Sequence, residues 1–422
     1  VTLRQTNHLS PVWFKVTNLE VSSGLGAVVT TTDGTDYLDF TSGIGVTNTG
    51  HAHPTVVAAI REQAGKLMHA QVNCYTHDLL APLASRLAEI TPSGIDVFFF
   101  SNSGAEATEA AIKLAKAATG RPDTIVFQGS FHGRTHQAMA MTTSKSIYRA
   151  NQGPLPSGVH VAPFPYTFVT GEDVDTSVAR CLREFDLLLE TQTAPSEVAA
   201  VIIEPVLGEG GYVDAPGPFL HGLRERCRRH GIMFIADEVQ SGFGRTAELF
   251  AVDHHDLDPD ILVMAKGIAS GFPMSAIGAS DELMARWPIG SHGGTYGGNP
   301  MGCAAALATI DVLCQHGFME RVRERAVRLW EGLADLADHH EAIAENHGLG
   351  LMVGTEIVGG DGAADPARTK SLLAHMADES RVIVMSCGPF GATIRWIPPL
   401  VVTDAQVDEA LAAFDLALGE IT

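Results

Sequence analysis

Short apolar runs alternate with segments of helical periodicity through the middle of the chain. Residues 97–100, 124–128, 199–203, 233–236 and 261–264 are apolar along nearly their whole length, which predicts strands buried on both faces. Between them, residues 105–118 and 219–230 repeat their apolar positions at three- and four-residue spacing, the period of a helix. Strands separated by helices predict an α/β fold, a mostly parallel sheet with helices on both faces, whose ligands sit at the carboxyl ends of the strands.

The two ends of the chain differ from the middle. Strands at 28–31 and 37–40 flank Thr32-Asp33-Gly34-Thr35, a hairpin turn, and Val56, Ala59, Ile60 and Ala64 then begin helical spacing that resumes over 79–88. After a Gly-rich stretch at 290–302, helices are predicted over 303–313 and 319–337, strands near 351–357, 382–385 and 393–396, and a last helix. This reads as a large ligand-binding domain over 54–310 and a smaller α+β domain built from 1–53 and 311–422. The Gly- and Asp-rich residues 358–365 are the expected mobile loop.

Composition narrows the partners. With 45% apolar and 18% charged residues the 422-residue chain is globular rather than disordered, and long enough for two to three domains. Its 28 Lys and Arg against 49 Asp and Glu give a net charge of −21, a field that repels nucleic acid and anionic membrane surfaces. Any anionic ligand must be held by local donors working against that field. Six cysteines without metal-ligand or CxxC spacing predict reduced core residues, no apolar run reaches the length of a membrane span, and no leader is apparent. A cytoplasmic protein is expected.

Three predicted strand ends carry chemistry. Residues 97–100 lead through Ser101-Asn102-Ser103-Gly104-Ala105-Glu106 into a helix, whose first N–H groups form an anion cradle. Ser103 and Glu106 equally fit a simple capping box. Asp237 ends the strand at 233–236, and Lys266 follows the strand at 261–264. The two could form no more than a buried ion pair, but a desolvated lysine has a lowered pKa and can form a Schiff base. Pyridoxal 5'-phosphate (PLP) requires all three features: a phosphate site, an anion at its pyridine nitrogen and a lysine for its aldehyde.

At these residues the chain resembles the class III PLP-dependent aminotransferases of fold type I, particularly the 4-aminobutyrate aminotransferase group. The resemblance runs through Asn48-Thr49-Gly50-His51-Ala52-His53-Pro54, Ser103 to Ala107, Gly129-Ser130-Phe131-His132-Gly133-Arg134-Thr135, Ile203-Glu204-Pro205, Gly208-Glu209-Gly210-Gly211, Asp237 to Thr246, Lys266-Gly267 and Gly294 to Pro300. It implies a large domain with a mostly parallel seven-stranded sheet and a smaller α+β domain. It also implies that Lys266 binds the cofactor covalently and shuttles a proton, and that Asp237 pairs with the pyridinium nitrogen. Ser103, Gly104, Ala105, Phe131, His132, Glu204, Val239 and Gln240 are the other implied cofactor contacts. The family forms homodimers or tetramers in which Thr295 reaches the neighbouring subunit's phosphate.

For the substrate, the resemblance assigns carboxylate binding to Arg134 and Arg395, which taken alone would read as surface salt-bridge residues. Glu209, on what reads as a pliable glycine loop, would cover Arg395 for an ω-amino acid donor and release it for 2-oxoglutarate. Ile44 would set pocket length. Departures from the family pattern at Phe131, Leu207 and Trp396 are expected to reshape the pocket. The expected activity is transfer of the amino group of 4-aminobutyrate to 2-oxoglutarate, giving succinate semialdehyde and glutamate. The alternatives are another ω-aminotransferase of the class, with β-alanine, acetylornithine, ornithine or an amine as donor and pyruvate as acceptor, or a non-transaminating aminomutase or racemase. His51-Ala52-His53 and Asp253-His254-His255-Asp256 could be drawn as metal ligands, but a helix start and a polar loop explain them, and no metal is expected.

Overall fold

The computed structural model describes residues 8–421; residues 1–7 of the predicted N-terminal segment and residue 422 lie outside the described residues. Near the N-terminus are strands β1 (Val21–Leu25), β2 (Val28–Thr31) and β3 (Asp36–Asp39). The middle of the chain supplies β4 (Val97–Ser101), β5 (Asp123–Phe127), β6 (Val159–Ala162), β7 (Val198–Ile203), β8 (Met233–Asp237), β9 (Ile261–Met264) and β10 (Ser275–Ala279). The remainder are β11 (Ile343–Leu349), β12 (Met352–Ile357), β13 (Val382–Ile383), β14 (Met385–Cys387) and β15 (Thr393–Trp396).

The central sheet has seven strands in the order β4-β10-β9-β8-β7-β5-β6. All neighbours pair in parallel except β10, which runs antiparallel to both β4 and β9. Two reversals cancel, so β4 points the same way as β8 and β9. The ends of these three strands therefore meet at one sheet edge, the expected ligand side. The helix Gly104–Thr119 crosses the sheet on Ala107, Ala110, Ala111, Leu114 and Ala115, all fully buried. Their small side chains let the helix axis lie close to the strands and fix where its N-terminus emerges.

The predicted strands at 261–264 and 393–396 match β9 and β15 residue for residue. The predicted strand at 382–385 divides. β13 joins β3 in parallel in the four-stranded N-terminal sheet β1-β2-β3-β13, whereas β14 pairs with β15 in the sheet β11-β12-β15-β14. One C-terminal segment thus ties the N-terminal strands to the sheet that carries Arg395.

β6, β10 and β11 were not evident in the pattern. β6 and β11 are edge strands and carry polar residues such as His160, Glu345 and Asn346. β10 reads Ser-Ala-Ile-Gly-Ala, a weak strand sequence, because a Cβ at Gly278 would lie 2.8 Å from the Phe98 ring. The segment 358–365, expected to be mobile, is a turn closed by Gly359 N–H to Ala363 O at 2.9 Å and Asp365 N–H to Ile357 O at 2.9 Å. Cys181, Cys227, Cys303 and Cys387 are buried as expected, but Cys74 and Cys314 are exposed. Among the described residues no helix is long and apolar enough to cross a membrane.

Candidate active site

The ends of β4, β5, β7, β8 and β9 surround a cavity of about 450 Å³, within the range of small-ligand sites. It is lined by Ser103, Gly104, Ala105, Phe131, His132, Arg134, Glu204, Asp237, Val239, Gln240 and Lys266, which the sequence had nominated. The fold also brings in Val46, Thr108 and Phe272-Pro273-Met274, which it had not. Those side chains carry no chemical signature, and only packing reveals them.

Ser103 is a genuine helix cap, accepting from Glu106 N–H at 3.3 Å, while Glu106 accepts from Asn102 N–H at 2.9 Å. The capping reading and the cradle reading are compatible. The cap occupies the N–H of Glu106, and those of Gly104 and Ala105, one and two residues into the helix, have no intrahelical acceptor. A Cβ at Gly104 would sit 3.0 Å from Val239 Cγ1, so glycine there keeps the backbone close to the cavity wall.

Asp237 and Lys266 do not form an ion pair. The Asp237 carboxylate, at the end of β8, instead accepts from His132 Nδ1 at 2.7 Å and from Val239 N–H at 3.1 Å. Desolvation disfavours the charged form of His132, but the bond to Asp237 and its charge outweigh that and raise the imidazole pKa. Lys266 has no carboxylate within ion-pair distance among the described residues, and desolvation brings its amine down to about 8. Its backbone is left-handed, with φ of 45°, an uncommon conformation for lysine and a sign that the surroundings dictate its position.

Glu204 straps two loops together, accepting from Phe131 N–H at 2.7 Å and from Gly208 N–H at 2.9 Å. Burial is the main reason its carboxyl is pushed up to about 7, with His132 opposing. The next loop carries Glu209, whose Oε1 accepts from Arg395 Nη1 at 2.6 Å. The side chains are 12% and 3% exposed, so both charges are removed from water and each stabilises the other's ionised form. The glycines of this loop are closely packed. A Cβ at Gly210 would collide with the carbonyl oxygen of Gly129, one at Gly208 would lie 2.6 Å from Gln240 Nε2, and one at Gly211 2.8 Å from the Tyr166 hydroxyl. These glycines permit close packing of the loop against Gly129, Gln240 and Tyr166.

Arg134 contrasts with Arg395. It faces the cavity with no carboxylate partner among the described residues; the Tyr148 and Phe131 rings lie 4.4 and 5.7 Å from its guanidinium carbon, and the Tyr148 hydroxyl is within hydrogen-bonding reach. Ile44, Glu209 and Arg395 are not among the cavity-lining residues. Ile44 sits in a left-handed turn with Ser42, Gly43 and Gly45, two residues before the lining Val46. Thr295 lies apart, exposed in a second opening with Gln71, Asn73, Lys113 and residues 290–294. Leu207 and Trp396, expected to reshape the pocket, are fully buried away from it. Trp396 points from β15 to the face opposite Arg395 and bonds Thr355 Oγ1 at 3.0 Å.

The residues present fit PLP. Besides the cradle, the anion and the desolvated lysine, two buried polar atoms at the cavity have no partner among the described residues: His132 Nε2 and Gln240 Oε1. Of the nominated metal ligands, His51 bonds Asp39, His53 caps a helix, His254 bonds Thr246 and Asp253 accepts from Phe250 N–H.

A seven-stranded sheet with such an edge defines a PLP-dependent transferase of fold type I, and comparison with known proteins makes the assignment specific. The family model described as Aminotransferase class-III matches residues 10–418, and the chain belongs to that family. It is 38% identical over 391 residues to 5-aminovalerate aminotransferase of Pseudomonas aeruginosa, covering 92% of this chain and 91% of that one. To 4-aminobutyrate aminotransferase of Escherichia coli it is 37% identical over 393 residues, covering 92% and 90%. Among solved structures, a PLP-bound amine transaminase from an uncultivated Pseudomonas species superposes with a TM-score of 0.90 at 28% identity, covering 99% of both chains. The protein is an aminotransferase and its cofactor is PLP.

Proposed function

We propose that this enzyme transfers the amino group of an ω-amino acid, 4-aminobutyrate or its longer homologue 5-aminovalerate, to 2-oxoglutarate. With 4-aminobutyrate the products are succinate semialdehyde and glutamate, released in two half-reactions at one site. The observation that carries this reading is the unequal state of the two arginines. Arg395 is neutralised by Glu209 at 2.6 Å, whereas Arg134 offers an unpaired cation to the cavity. A donor with a single carboxylate needs one cation, and 2-oxoglutarate with two carboxylates needs both, which rotation of Glu209 would supply.

PLP, when bound, supplies the electron sink that stabilises a carbanion at the substrate carbon. Gly104 and Ala105 would hold its phosphate, Phe131 and Val239 would flank its ring, and His132 and Asp237 would hold a proton at the pyridine nitrogen. Gln240 would approach its phenolic oxygen. Lys266 would bind the aldehyde and then move the proton between substrate carbon and cofactor, a task suited to an amine with a pKa near ambient pH. The separate opening at Thr295 supports an assembly, a homodimer or tetramer, in which that residue serves a second subunit's site. We assign the enzyme to the cytoplasm.

The test is a donor and acceptor screen that follows labelled 2-oxoglutarate into glutamate. Glutamate formed from ω-amino acids, and lost in a Lys266→Ala variant, upholds the proposal. Conversion only with amines lacking a carboxylate, or only with pyruvate as acceptor, would shift the assignment to another ω-aminotransferase. No transamination with any donor would point to a mutase or racemase.

A further inference from the structure

Tyr148 ends the short turn Ser146–Tyr148, beyond the segment that carries Phe131 and Arg134. It is half-buried and does not line the cavity, yet its ring centre is 4.4 Å from the Arg134 guanidinium carbon. Its ring packs edge to face on Phe131, with centroids 5.4 Å apart and planes at 77°. Two mutually braced rings therefore provide the surface on which Arg134 rests. An aromatic face attracts a guanidinium through its quadrupole but carries no net charge. It can fix the direction of Arg134 without neutralising it, as a carboxylate would, and even with one N–H bonded to the Tyr148 hydroxyl others remain for a substrate carboxylate.

We infer that Tyr148 is a positioning residue for donor recognition, whose ring presets the Arg134 guanidinium for the carboxylate of an ω-amino acid. The inference rests on the proposed function and extends it to a residue that does not line the cavity. Burial, with the charge of Glu209, raises the Tyr148 pKa; the charge of Arg134 and a hydrogen bond to it oppose that shift without overcoming it, so the hydroxyl stays protonated and the ring neutral.

The test uses PLP-loaded enzyme and half-reaction kinetics with two donors, 4-aminobutyrate and 1-aminobutane, which share a four-carbon chain but differ in the carboxylate. Tyr148→Phe keeps the ring; Tyr148→Leu and Tyr148→Met remove it, the second being a flexible replacement should the first fail to fold. Loss of the ring is expected to raise KM for 4-aminobutyrate about 3- to 30-fold, from the usual strength of such contacts. In these ring-loss variants kcat should stay within about twofold and KM for 1-aminobutane should not move; Tyr148→Phe, which keeps the ring and loses only the hydroxyl's bond to Arg134, should show a smaller KM increase than either. Equal KM increases for both donors would reveal a merely structural role and overturn the inference. So would a Tyr148→Phe variant as impaired as Tyr148→Leu, since the hydroxyl rather than the ring would then be responsible. A wild-type enzyme with no preference for the carboxylate donor would overturn the proposed function itself, and this inference with it.

Discussion

Glu209→Gln isolates the charge that governs Arg395. Glutamine keeps the size of Glu209 and an oxygen able to accept from Arg395 Nη1, now at 2.6 Å. Arg395 stays charged, so the bond to glutamine is still one to a charged group, about 1.5–3 kcal/mol, whereas breaking a buried ion pair costs about 3–5; the variant therefore releases Arg395 more easily by about 1–2 kcal/mol. At about 1.4 kcal/mol per decade, this is a gain of roughly 5- to 30-fold for a ligand that must displace residue 209. The ratio of kcat/KM for glutamate to kcat/KM for 4-aminobutyrate should rise by that factor, as read from single-turnover absorbance changes of the PLP form with each donor. Stability should move the other way. Arg395 is only 3% exposed, and removing one partner of a buried pair costs about 3–5 kcal/mol, less here because the amide retains the hydrogen bond. A lowered Tm, restored more by glutarate in the variant than in wild type, would mark the uncompensated cation. An unchanged or falling donor ratio would refute the view that Glu209 competes with substrate carboxylate for Arg395.

Asp237→Asn removes the anion that faces His132 at 2.7 Å; loss of one preorganised electrostatic partner is worth about 2.7–4 kcal/mol, so kcat should fall about 10²- to 10³-fold with both donors, and a fall under tenfold would dispute its role. The rate at which apoenzyme takes up PLP should increase with pH through about 8, because only the unprotonated Lys266 amine attacks an aldehyde and its pKa lies near that value. Glu209 raises that pKa, so Glu209→Gln should shift the midpoint to lower pH; a flat profile from pH 6.5 to 9 would contradict the desolvation argument. Gly210→Ala places a Cβ against the Gly129 carbonyl, and overpacking of this kind costs about 1–3 kcal/mol. Scanning calorimetry should record a lowered Tm, accompanied by weaker discrimination between glutamate and 4-aminobutyrate.

Much of this enzyme was readable from the chain because its chemistry is attached to local patterns. Asp237 and Lys266 each follow an apolar run too short for a helix, and Ser103-Gly104-Ala105 follows a third. In a mostly parallel sheet the residues after such runs must gather at one edge, so a strand pattern and three residue identities were enough to indicate the cofactor. The sequence also supplied both arginines and Glu209.

What it could not supply were relations between segments distant in the chain. Asp237 takes His132 rather than Lys266 as its partner, which leaves the lysine desolvated and unpaired. The glycines around Glu209 look in sequence like a source of flexibility, yet they are required by the nearness of Gly129, Gln240 and Tyr166. Arg134 and Arg395 are the same residue type, and only their surroundings distinguish them: a carboxylate neutralises one, and aromatic rings hold the other charged and available. Residue types and local periodicity determined which groups could act; the tertiary fold decided which were paired and which were left free, because burial and partner distance set the energy of a charge.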